Sequence, residues 1–154
     1  DETMTVDLGS PPNATVADGS ATGTILDDDI TAAAVSIADA TLTEGTAGSA
    51  NMVFTVSIPG AVAQATSVTY SVLPIDATPV LDYTAVTGTA TITAGNTSTS
   101  IGVPIIGDAV DEWDEQFTVN LAATASSTLA DGQAVGTIVD DDSGGDPVYR
   151  NGFE

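Results

Sequence analysis

The sequence predicts an all-β chain, an immunoglobulin-like antiparallel β-sandwich of about seven strands. Three observations carry that expectation. Apolar and β-branched residues alternate with polar ones in short runs, the two-residue period of a half-buried strand. Gly, Asn, Asp and Pro break those runs at roughly 10–15-residue spacing, as sandwich turns do. No capped amphipathic stretch long enough for a helix interrupts them.

Taken in chain order, Val35 and Ile37 open the first strand of the main unit. Met52, Phe54, Val56 and Ile58 alternate with Val53, Thr55 and Ser57, and Val68, Tyr70 and Val72 with Thr69 and Ser71. Ala90 and Ile92 sit between threonines. Ile101, Val103 and Ile105 form the next run, then Phe117, Val119 and Leu121. Residues 134–139 read as the last strand. Tyr83 is expected in the core or at a corner, and Trp113 as a partly buried loop anchor.

An internal repeat organises the chain. Residues 1–29 align without gaps on residues 114–142 at a constant offset, with 16 of 29 positions identical. The expected boundaries follow. Residues 1–29 are the closing strands of a preceding repeat, residues 30–142 a complete unit, and residues 143–154 a Gly- and Pro-containing tail. Two strands alone are marginal in water. Residues 1–29 are therefore expected to belong to a longer tandem array or to complete a sheet in a neighbouring copy by strand addition.

Composition narrows the function. Of 154 residues, 42% are hydrophobic, more than a disordered acidic chain carries. Against 22 acidic residues stands one basic residue, Arg150, for a net charge of −21. Nucleic-acid binding, which needs Lys and Arg on phosphates, is excluded, and an anionic membrane surface is disfavoured. No apolar run approaches the ~18–20 residues of a membrane span. With no Cys, His or Lys there is no thiol catalysis, disulfide, zinc–thiolate site, imidazole base or Schiff base. Carboxylate, hydroxyl and backbone carbonyl remain, the hard oxygen donors that suit Ca²⁺.

The acids are clustered. Asp108, Asp111, Glu112, Asp114 and Glu115 fall between two strands, and Asp140, Asp141 and Asp142 follow the last one. Glu44 and Asp82 lie in other turns. Loops gather at the ends of a sandwich, so these carboxylates can share one rim, where they repel one another unless cations bridge them. Ca²⁺ takes about 6–8 oxygens in flexible geometry, whereas Mg²⁺ demands a stricter octahedron and suits such a rim less.

Four segments carry a family resemblance: ValSerIleAlaAspAlaThrLeuThrGluGlyThr at 35–46, LeuAspTyrThrAlaValThrGlyThrAlaThrIle at 81–92, ValProIleIleGlyAspAlaValAspGluTrpAspGluGlnPheThrValAsnLeu at 103–121, and GlyThrIleValAspAspAsp at 136–142. In order and spacing these resemble the Calx-beta domain, the calcium-binding module of sodium–calcium exchangers, integrin β4 and many bacterial surface proteins. The resemblance implies a seven-stranded sandwich with Ca²⁺ at the end facing the next domain. It implies ligands at Glu44, Asp82, Asp108, Glu112, Glu115, Asp140, Asp141 and Asp142. Gly107 stands where the family's calcium binders often carry an acid, which points to about one or two ions rather than a larger cluster.

The expected function is a non-catalytic, extracellular structural module. It would be a calcium-stiffened link of a tandem-repeat surface protein, adhesin or filament, with neighbouring copies or repeats of itself as partners. The near absence of Lys and Arg leaves trypsin almost nothing to cut, which suits that setting. The closing ValTyrArgAsnGlyPheGlu resembles short endings of exported bacterial proteins. The alternative is an accessory domain that binds a glycan or cell-surface partner for a secreted enzyme. Its exposed aromatic platform would have to come from one Trp, three Tyr and three Phe. A two-carboxylate glycosidase is disfavoured, because the acids sit on turns with few aromatics to stack a sugar.

Overall fold

The computed structural model describes residues 2–26 and 32–142. Residues 27–29 of the repeated AspAspAsp run and the tail 143–154 lie outside the described residues. The chain divides into two compact units, Asp1–Ile30 and Thr31–Glu154. Among the described residues, no helix is long and apolar enough to cross a membrane.

The first unit is a two-stranded antiparallel sheet of β1 (Glu2–Asp7) and β2 (Ser20–Ile25). Its register runs from Glu2 opposite Ile25 to Asp7 opposite Ser20.

The second unit is a β-sandwich. Its strands are β3 (Ala33–Ile37), β4 (Ala40–Thr43), β5 (Gly48–Ser57), β6 (Thr66–Pro74), β7 (Thr87–Ile92), β8 (Ser98–Gly107), β9 (Glu115–Ala123), β10 (Ser127–Asp131) and β11 (Gln133–Val139). One sheet has the order β10-β3-β5-β8, the other β4-β11-β9-β6-β7. Two short strands go beyond the expected seven, and both arise from parallel pairings. The run 33–43 is interrupted at Ala38 and Asp39 and changes sheets: β3 pairs with β5 and β10, and β4 with β11. Asp39 fixes the crossing point by accepting the Val135 N–H on Oδ1 at 2.8 Å. β10 is almost wholly exposed and carries no alternation that a sequence would show.

Strand periodicity builds the core. Phe54, Val56, Ile101, Val103 and Ile105 point inward from one sheet, and Val68, Ile92, Phe117, Val119 and Ala134 from the other. Phe117 is central. It meets Phe54 edge-on at 5.9 Å and stacks on Tyr83 at 4.7 Å. Gly136, opposite Phe117 in the β9–β11 ladder, leaves space for that ring; a Cβ there would lie 2.8 Å from Phe117 Cε1. Tyr83 is fully buried, as expected. Trp113 is not an anchor: its side chain is 66% exposed, because it lies on the acidic loop between β8 and β9 rather than over the core.

Candidate metal centre

Four chain segments bring carboxylates to one end of the sandwich. Glu44 follows β4 directly, and its N–H donates to the Val139 carbonyl, so the β4–β11 ladder sets it beside the chain leaving β11. Asp140 and Asp142 are on that departing chain. Their conformation is held by the Asp140 N–H donating to Asp114 Oδ1 and the Asp142 N–H donating to Asp140 Oδ1. Asp82 closes a tight loop in which the Thr78 N–H donates to its Oδ2 at 2.5 Å. Its carbonyl accepts the Ile106 N–H from β8 at 2.8 Å. Glu112 is on the β8–β9 loop, and Glu115 opens β9.

The outcome is two trios. Carboxylate oxygens of Glu44, Asp140 and Asp142 lie within 4.8 Å of one another, and so do those of Asp82, Glu112 and Glu115. Glu44 and Asp82 are each only 8% exposed. Like charges at such spacing cost about 1 kcal/mol per pair in water and several times that where water is excluded.

The ionisation of these groups responds accordingly. Burial, then the charges of Asp140, Asp108, Glu112 and Asp142, push the Glu44 carboxyl up to about 7. Glu115 is pushed up to about 8, first by burial and then by its hydrogen bond and charge interaction with Asp82. Burial and the charges of Asp82, Asp108 and Asp140 also raise Glu112. Asp142 is raised by desolvation and by Asp140, Asp141, Asp108 and Asp111. Because Glu44 feels Glu112, and Glu112 feels Asp140, the two trios form one electrostatic unit.

The donor set fits a hard divalent cation. Among the described residues there is no Lys, Arg or His to balance these charges. Asp142 Oδ2 is buried and has no hydrogen-bond partner, which is costly for a polar oxygen unless something else meets it.

Six of the eight residues singled out from the sequence thus meet in the two trios. Asp108 is close enough to raise Glu44, Glu112 and Asp142, while its Oδ1 accepts the Val110 N–H at 2.8 Å. Asp141 belongs to neither trio. Its Oδ1 accepts the Gly45 N–H at 3.0 Å and ties the turn after Glu44 to the chain after β11.

Two structural roles escaped the sequence reading. Asp76 Oδ1 accepts the Gln116 N–H at 2.6 Å, and the N–H groups of Ile75, Asp76 and Ala77 converge on the Gln116 carbonyl. This clamp sets the start of β9 and hence Glu115; an isolated Asp in a loop gave no signal for it. The other belongs to Gly107, which the sequence marked only as a missing acid. A Cβ there would clash with the Gly45 carbonyl oxygen and lie 2.6 Å from that of Glu44. Any side chain at 107 would displace the turn that carries Glu44.

Comparison with known proteins follows the same lines. The sequence profile of the Calx-beta domain matches residues 27–142. Among solved structures, CBD12 from CALX1.2 superposes with a TM-score of 0.60 at 22% identity, over 70% of this chain and 45% of that one. The calcium binding domain CBD12 of CALX1.1 gives 0.61 at 22% identity, over 72% and 47%. The apo-form Calx CBD1 domain gives 0.57 at 20% identity, over 70% of this chain and 98% of that one. The chain thus spans less than half the length of the two CBD12 structures and nearly all of the single CBD1 domain. A search of the curated proteins finds no match. With the profile covering both sheets and both acidic trios, the chain belongs to the Calx-beta domain family.

Proposed function

We propose that this chain is a non-catalytic structural module whose acidic rim binds Ca²⁺ and thereby stiffens one link of a tandem-repeat surface protein, adhesin or filament outside the cell. The observation that carries the reading is the gathering of six carboxylates into two trios, with no cation of the chain's own among the described residues, one trio including Asp142, whose Oδ2 is buried and unpartnered. One structural relative, CBD12 of CALX1.1, is by name a calcium binding domain, which supports the choice of ion.

Glu44, Asp140 and Asp142 would hold one ion, and Asp82, Glu112 and Glu115 a second, with Asp108 beside both. Asp141 keeps its structural role at Gly45. The ion supplies positive charge; the chain supplies a frame of ladder hydrogen bonds that presets the carboxylates. Neutralising the rim joins the β4 end, the β6–β7 loop, the β8–β9 loop and the chain beyond β11. In a tandem array the chain after β11 would lead to the next repeat, and its rigidity would set the stiffness of that joint. Extracellular modules bind Ca²⁺ with dissociation constants of about 10⁻⁴–10⁻³ M, low enough for outside calcium to fill such sites.

Isothermal calorimetry with CaCl₂, paired with a melting curve, tests the reading. Saturable binding and a raised melting temperature are expected. No heat and an unchanged melting temperature at millimolar Ca²⁺ would remove the calcium role. A glycan array tests the accessory-domain alternative, for which Trp113 is the one exposed large aromatic among the described residues.

A further inference from the structure

The sequence repeat is also a repeat in three dimensions. In β1 and β2, Glu2 faces Ile25, Met4 faces Gly23 and Val6 faces Ala21. In β9 and β11, Glu115 faces Ile138, Phe117 faces Gly136 and Val119 faces Ala134. Every pair is shifted by the same offset as the sequence alignment. The turn contacts repeat as well. The Leu8 N–H donates to the Gly19 carbonyl at 2.7 Å, as the Leu121 N–H does to Gly132 at 2.7 Å. The Ser20 N–H donates to Asp18 Oδ1, as the Gln133 N–H does to Asp131 Oδ1.

Burial is what differs. Phe117, Val119, Leu121 and Ile138 are at most 8% exposed, whereas Met4, Val6, Leu8 and Ile25 are 54–63% exposed. β9 and β11 are flanked by β6 and β4 and covered by the opposite sheet; β1 and β2 form a two-stranded sheet only. The counterpart of β10, residues 14–18, forms no strand, and β10 itself needs β3 as its partner.

From this we infer that the Met4–Val6–Leu8–Ile25 face and the outer edges of β1 and β2 are a docking surface for counterparts of β3 to β8, supplied by an upstream Calx-beta segment of the same polypeptide. A second copy of this chain is the poorer occupant. In its sandwich the positions beside β6 and β4 are already filled by its own β9 and β11. A covalently linked segment also acts at a high effective concentration. The surface does not depend on the calcium reading, since none of its residues belongs to the acidic rim.

The test joins a copy of residues 32–113 ahead of Asp1 of the full chain, so that Asp1 follows Trp113 as Asp114 does. The readouts are amide hydrogen exchange and denaturant unfolding, without Ca²⁺. Expected are about 100-fold or greater slowing of exchange in β1 and β2 and a second unfolding transition. Val6→Asp in that fusion should abolish the added transition and leave that of the 32–142 unit in place. The same strands fold when residues 114–142 follow them. An unprotected hairpin beside an unfolded added segment would therefore overturn the inference. So would full protection that survives Val6→Asp. Self-association of the unextended chain, with hairpin protection rising with its concentration, would assign the face to a second copy and equally overturn it.

Discussion

Glu44 illustrates how one residue takes two signs. Its carboxyl is buried among like charges, so without a divalent cation it destabilises the fold when ionised; in the Ca²⁺ site proposed above it would be a ligand. Glu44→Gln is therefore expected to raise the melting temperature of the cation-free chain above pH 7 and to weaken Ca²⁺ binding by about tenfold or more. Calorimetry and melting curves of one variant read both effects, and opposite signs are the signature of a metal site. Tyr83 is a separate case. Its ring stacks on Phe117 in the core, while its hydroxyl is buried without a hydrogen-bond partner. Tyr83→Phe keeps the ring and removes the orphan. Stability should stay level or rise by about 1 kcal/mol, since an unsatisfied buried polar group costs roughly that or more. A loss above about 1 kcal/mol in urea unfolding would mean that the hydroxyl has a partner after all.

At the scale of elements, the site depends on ladders more than on loops. β4 exists because β11 offers it a parallel edge, and that pairing, extended by the Glu44 N–H to the Val139 carbonyl, sets Glu44 beside Asp140. β8 contributes through the absence of a side chain at Gly107, which lets the turn after Glu44 approach. Gly107→Ala is expected to destabilise the domain by about 2–3 kcal/mol, because backbone oxygens rather than a flexible side chain must give way. It should also weaken Ca²⁺ binding even though residue 107 supplies no ligand. Chemical denaturation and calorimetry together check it; unchanged affinity would show that the Glu44 turn is not what positions the ion. The loop Thr78–Asp82 stores strain of a different kind. Val80, a β-branched residue at a φ of 81°, sits where such side chains are rarely found. It is 80% exposed, so Val80→Gly loses little packing. That change should stabilise the loop by up to about 1 kcal/mol, readable as a higher urea midpoint.

For the whole molecule, a net charge of −21 and the raised acids make stability depend on pH and cations together. Glu44 and Glu115 keep their protons in the fold up to about 7 and about 8, against an ordinary value of 4.5. Between those limits the folded state binds more protons than the unfolded one, so stability falls as pH rises. Their stabilising contribution is complete below 4.5 and lost above about 8. The cation-free chain should thus melt at a higher temperature at pH 5 than at pH 8, and saturating Ca²⁺ should shrink or reverse that difference by holding the carboxylates ionised. Melting curves at the two pH values, with EDTA and with CaCl₂, check this. Equal melting temperatures with EDTA at pH 5 and pH 8 would show that the rim carries no such strain.

Much was legible in the sequence, for reasons that lie in local chemistry. Alternation in runs such as Ile101–Val103–Ile105 fixes which residues face inward, because a strand turns successive side chains to opposite sides. The 16 shared positions set the repeat and its register. The lack of Lys, His and Cys narrows the chemistry to oxygen donors. What lay beyond the sequence depends on contacts between distant segments. The parallel pairings of β4 with β11 and of β10 with β3, the Asp76 clamp on Gln116 and the exposure of Trp113 all turn on partners 40 to 96 residues away or on which side of a loop faces water. Composition made a calcium-type rim expected. Only the closing of both sheets decides that Asp140 and Asp142 gather with Glu44 while Asp141, between them, accepts the Gly45 N–H, because the β4–β11 ladder brings the turn after β4 beside the chain leaving β11.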